Sequence, residues 1–137
     1  MRRASSSLTS VTLAAIGGLH IAWGRGSSFP FAGQSELSDA VVGSRVVPSA
    51  AACYAVAAAL VTASALVADA PIAPRRVRRL GRQAVGGVLA VRGIVGLTGR
   101  TDMLSPGSTS PRFRRLDRRY YSPLCLALAL GSQSRHG

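Results

Sequence analysis

Seven side chains carry types that could do chemistry: His20, Trp23, Cys53, Arg92, Asp117, Tyr121 and Cys125. Arg92 stands alone inside the apolar block AVGGVLAVRGIVGLTG, residues 84–99. An arginine at the centre of a membrane helix costs about 2.5–3.5 kcal/mol on insertion scales. It reads as the counter-ion of an anionic group, with Asp117 the internal partner; the plainer alternative is an arginine that snorkels or pairs only for packing. His20 could serve as a proton carrier or as one axial metal ligand. An interfacial histidine beside Trp23 in an aromatic belt is the favoured reading, and Trp23, Tyr120 and Tyr121 read as anchors rather than a ligand cage. Cys53 and Cys125 form either a thiol pair or two small buried apolar residues, with the second favoured.

Other chemistries are absent from the pattern. His20, His136 and two separated cysteines have no metal-ligand spacing, so no metal and no cofactor is expected. No phosphate-binding loop, nucleophile elbow or paired-carboxylate motif occurs, and the chain reads as a non-enzyme.

These residues need elements to hold them, and the composition says which. The 137 residues are 47% apolar yet carry a formal charge of +12, room for one domain. The two properties are segregated: apolar blocks alternate with basic stretches. All seventeen basic residues are arginine, and with abundant alanine, glycine and valine this suggests high-GC bacterial coding.

The first block, 8–24, follows a short tail, 1–7, and lacks formal charge. A signal peptide would place a small-residue cleavage site after the core, whereas this core runs into His20, Trp23 and Arg25; an uncleaved span is expected. The second, 48–68, has twenty-one uncharged residues, enough at about 1.5 Å each to cross a core of roughly 30 Å. Ala51, Ala55, Ala59 and Ala63 recur every four positions, a small-residue stripe suited to another helix and to homo-oligomers. The third span is placed at 83–99, where its glycines permit close helix contact.

Between spans two and three, Arg75, Arg76, Arg78, Arg79 and Arg82 form a loop. Short arginine-rich loops stay cytoplasmic, which puts the N-terminus inside and 25–47 outside. This run has the electrostatic footprint of a nucleic-acid binder but lacks interleaved aromatics, so anionic headgroups are the expected partner and nucleic acid is not.

The stretch RFRRLDRRYYSPLCLALAL, 112–130, joins five arginines directly to apolar residues. Were Ser122 an N-cap and Pro123 the first helical residue, the helix to Ser132 would span only about 15 Å. The better reading is a helix from near Phe113 that is short or kinked at Pro123 and enters the membrane over 116–132. The positive-inside asymmetry then cancels, with eight arginines on each face beside Arg92, and the orientation stays open.

Phe113-x3-Asp117-x3-Tyr121-Ser122-Pro123-Leu124-Cys125 resembles the closing motif of a family of small bacterial membrane proteins, domain of unknown function 3995. His20-x-x-Trp23, Gly43, Pro48 and Arg92-Gly93 are similar to it as well, so the likeness covers nearly the whole chain. It implies four predicted membrane spans and assigns no activity.

The expectation is therefore an all-α integral membrane bundle of four helices, 8–132, followed by a tail, 133–137, in the bacterial inner membrane. Four alternating spans bring His20, Trp23, Cys53, Asp117, Tyr121 and Cys125 near one face. His20, Trp23, Arg92, Asp117 and Tyr121 could then share a polar pocket. A structural or interaction bundle is the first reading; a small transporter or ligand-binding protein using that pocket is the second, and a membrane thiol redox protein the third.

Overall fold

The computed structural model describes residues 2–134, with side chains from Arg3 onward; Met1, Arg135, His136 and Gly137 lie outside the described residues. Among these residues the secondary structure is helical, with no strand. The elements are α1 (Arg2–Gly24), α2 (Gln34–Leu37) running into a π turn (Ser38–Val42), α3 (Ala50–Val67), α4 (Arg75–Leu97), a 3-10 turn (Thr101–Met103), α5 (Pro111–Leu116), a second π turn (Asp117–Tyr121) and α6 (Ser122–Ser132). Three helices, Arg3–Gly24, Ala50–Val67 and Arg75–Leu97, are long and apolar enough to cross a membrane.

Helix α1 starts before residue 8, and hydroxyls in its first turns bond back to its own carbonyls. Ser6 donates to the Arg3 carbonyl and Thr12 to the Leu8 carbonyl, a local bonding mode that keeps serine and threonine inside a helix. Helix α3 starts on the Ser49 cap, whose hydroxyl accepts from Ala52 N–H. It closes through Asp69 N–H to Leu66 and Ala70 N–H to Ala65, with Asp69 left-handed at φ 57°. That is a Schellman closure with aspartate in the position glycine usually fills.

The arginine run expected as a loop forms the first turns of α4 instead. Pro74 precedes the helix with extended ψ, and arginine is a good helix former. Arg75, Arg76 and Arg79 are exposed. Arg78 donates Nη1 to the Asp69 carbonyl, and its Nε lies 3.5 Å from the Asp69 carboxylate. No acidic residue occupies the first turn, and cations there oppose the helix dipole, so the helix forms on intrinsic propensity against that term.

The segment around Pro123 follows the second of the two sequence alternatives. Ser122 is no N-cap: it is helical at φ −69°, ψ −45°, and Leu116, Asp117 and Tyr121 are helical too. One continuous helix therefore runs from Pro111 to Ser132, capped by Ser110. Ser122 N–H reaches back five residues to the Asp117 carbonyl. This wide turn directly precedes Pro123, which supplies no backbone donor of its own.

Helix α1 packs most extensively on α3, and α4 on α6, while α1 with α6 and α3 with α4 join the two pairs. Leu13, Val67 and Leu128 form the apolar centre, with Ile16, Leu60, Ala63, Val85 and Leu89 against it. On α3 the stripe is only partly used: Ala63 joins this core, but Ala51, Ala55 and Ala59 are exposed. The contact with α1 lies on another face of α3, at Ala57 beneath Gly17 and at Ser64, whose hydroxyl donates to the Ser10 carbonyl.

The polarity of this packing is inverted relative to a water-soluble domain. Ser6, Thr9, Ser38, Thr101, Ser108, Asp117, Ser122 and Ser132 are buried, while Leu8 is 69% exposed, Val88 69% and Leu130 76%.

Candidate functional site

Two separate arrangements hold the residues that the sequence placed in one pocket. The first is built around Asp117, which is 1% exposed. Arg92 Nη2 donates to Asp117 Oδ1 at 2.8 Å and Nη1 to Oδ2 at 3.3 Å. Thr101 Oγ1 donates to Oδ2 at 2.8 Å and Ser122 Oγ to Oδ1 at 3.1 Å. Each carboxylate oxygen thus receives two hydrogen bonds, the number its lone pairs can serve.

The elements explain why these groups meet. Ser122 follows Asp117 by five residues, a spacing that turns a side chain away in a helix of 3.6 residues per turn; the π turn brings it back. Glycines make room on the opposite helix. A Cβ at Gly96 would overlap Ser122 Oγ and lie 2.7 Å from both Arg92 Nη1 and Asp117 Oδ2; one at Gly93 would lie 2.7 Å from Leu126. The 3-10 turn after α4 then delivers Thr101. Two opposite charges held bidentately and saturated by hydroxyls form a closed clamp between α4 and the final helix.

Tyr121 belongs to neither this clamp nor a cavity. Its hydroxyl donates to the Ala40 carbonyl at 3.0 Å, and its ring lies 6.2 Å from that of Phe113. Phe113 fills the space beneath Gly43, which adopts φ 75°. Ser108 Oγ donates to Val42 O, and Thr109 and Ser110 N–H both donate to Gly43 O. The segment 34–43 is thereby tied to the start of the final helix. Ala40 is fully buried, so Tyr121→Phe is expected to cost about 1–3 kcal/mol by leaving its carbonyl unpaired. Thermal unfolding in detergent checks this, and an unchanged transition would count against the tie.

The second arrangement is a cavity of about 150 Å³ under this tied segment. His20 and Trp23 of α1, Gln34 and Leu37 of α2, and Cys53 and Val56 of α3 are among its walls; Arg92, Asp117 and Tyr121 are not. His20 Nδ1 lies 2.8 Å from the Ile16 carbonyl oxygen. The His20 and Trp23 rings are 4.7 Å apart and tilted by 58°, and Trp23 Nε1 donates to the Phe29 carbonyl.

The expected five-residue pocket is therefore divided. His20 and Trp23 line an uncharged cavity with Cys53, whereas Arg92 and Asp117 neutralise each other elsewhere. Cys53 and Cys125 are both free thiols, and Cys125 does not line the cavity. Among the described residues no group of three histidine, cysteine or acidic side chains could hold a metal.

Sequence reasoning anticipated close helix contact at Gly96 but missed the roles of Thr101 and Ser122 at Asp117 and the cavity wall from 34 to 48. The Asp117–Ser122 spacing becomes meaningful only with a π turn, and Pro123 was the available signal for a disturbed helix there. Nothing local in 34–48 announced a wall, since its burial depends on the distant Tyr121 and Ser108.

No curated protein and no solved structure matches the chain. The residues of both arrangements lie within 13–132, the stretch matched by the family described as protein of unknown function (DUF3995), and the chain belongs to that family.

Proposed function

We propose that this is a multi-pass protein of the cell membrane, in which α1, α3, α4 and the continuous helix from Pro111 to Ser132 form a four-helix bundle with a structural or interaction role. One observation carries the reading: hydroxyls, glycines and an ion pair are inside, while leucine, valine and isoleucine face out. Water would penalise that surface, whereas hydrocarbon accepts it and leaves polar groups and small residues to join the helices.

Helix lengths support it. The final helix has twenty-two residues, about 33 Å, of which the uncharged part beyond Arg119 measures about 20 Å, so it enters the core from an arginine-rich start at the headgroups. Its partner is the bilayer itself. Exposed Arg75, Arg76 and Arg79 at one end, and Arg114, Arg115, Arg118 and Arg119 at the other, reach anionic headgroups along their apolar stems. The Arg92–Asp117 clamp fits structure better than transport, because both charges are already paired.

Retention of the full chain in carbonate-washed membranes is the expected result, and release into the supernatant would overturn the membrane reading. An alkaline phosphatase fusion after Gly107, in the turn between α4 and the final helix, fixes the orientation in the same preparation. Activity places the cavity end outside, and inactivity with retention places it in the cytoplasm.

A further inference from the structure

The cavity beside His20 has properties that the bundle does not require. In a chain of net charge +12, none of its lining residues is charged, so an ionic ligand finds no counter-charge there. Its walls are largely apolar, from Leu37, Val41, Val42, Val47 and Val56. At about 150 Å³ it equals the size of an engineered protein cavity that accepts benzene.

One polar group has a defined role. The Ile16 carbonyl can only accept, so the His20 Nδ1 that contacts it carries the proton. In its neutral form the ring then offers its Nε2 lone pair as an acceptor. Ser38 Oγ and the Gln34 amide nitrogen in the same lining already donate to backbone carbonyls, so the apolar wall, room for one ring and the oriented His20 acceptor suit an uncharged aromatic ring bearing a hydroxyl donor.

We propose that this cavity binds a phenol-class ring, with the hydroxyl donating to His20 Nε2. Such a ring can arrive free or as the head of a tailed, lipid-soluble phenol.

Trp23 is the chain's single tryptophan and lines the cavity, so its fluorescence in the detergent-purified full chain reports occupancy directly. The probes are phenol, anisole and toluene, which are similar in shape but differ in that phenol alone can donate. Phenol is expected to change the signal saturably and to bind about fivefold more tightly than the other two, as one hydrogen bond provides. In His20→Leu that preference should vanish while saturable toluene binding remains, and Ala52→Phe should fill the cavity and abolish all three.

The phenol–anisole comparison in the unaltered protein needs no substitution, so a poorly folding variant cannot obscure the result. Non-saturating responses, equal affinities for phenol and anisole, or a preference that survives His20→Leu would each overturn the proposal. A 4-alkylphenol with a long tail separates the sources: binding at least as tight as phenol indicates a lipid-soluble head, and exclusion indicates a free phenol.

Discussion

Asp117→Leu is expected to destabilise the folded protein in detergent by about 3–5 kcal/mol, the range for breaking a buried ion pair by removing one partner. The substitution strands three donors together: the Arg92 guanidinium, the Thr101 hydroxyl and the Ser122 hydroxyl, all of which now end on one carboxylate. Arginine cannot shed its proton to escape. Its side chain is 28% exposed, so the lost pairing is only partly replaced from outside. The diagnostic companion is Arg92→Leu with Asp117→Leu. Buried pairs replaced together by apolar residues are often neutral or better, so the double variant should regain most of the loss. If the double variant is as unstable as Asp117→Leu, the pair is not the source of the effect, and the clamp assignment falls.

Gly96→Ala should rank beside it, although alanine is ordinarily the better helix former by about 1 kcal/mol. The added methyl would overlap Ser122 Oγ and crowd both Arg92 Nη1 and Asp117 Oδ2 at 2.7 Å. Every atom that must yield belongs to the clamp, so the variant opposes the ion pair and the helix contact together. Overpacking of this kind costs about 1–3 kcal/mol and occasionally more. Gly87 on the same helix is the internal control, because a Cβ there meets nothing within 4 Å. Gly87→Ala should unfold at an unchanged or higher temperature and Gly96→Ala at a clearly lower one. Equal behaviour would mean that α4 and α6 are not in contact at Gly96 as described.

Much of the architecture was legible because it rests on local properties. The apolar length of 48–68 suffices to place α3, whatever surrounds it. The Ser122-Pro123 pair illustrates the opposite case. The sequence supports a helix start there as readily as a helix running through, and only the Asp117 carboxylate, which draws in the Ser122 hydroxyl, together with the five-residue turn settles the choice. The arginine run 75–82 was misread as a loop because charge was taken as its dominant property, while its helix propensity decided its conformation.

The sequence by itself determined that the apolar blocks 8–24, 48–68 and 83–99 are helical, that Arg92 requires an anion, and that Asp117 could supply it. Those conclusions need only composition, period and the cost of a lone charge. Tertiary structure alone decided that His20 and Trp23 belong to a different site. Their surroundings come from segment 34–48, held in place by the Tyr121–Ala40 and Ser108–Val42 hydrogen bonds across 81 and 66 residues of chain. No periodicity within one element encodes a wall contributed by another, so the division of one expected pocket into a closed clamp and an uncharged cavity emerges only once the helices pack.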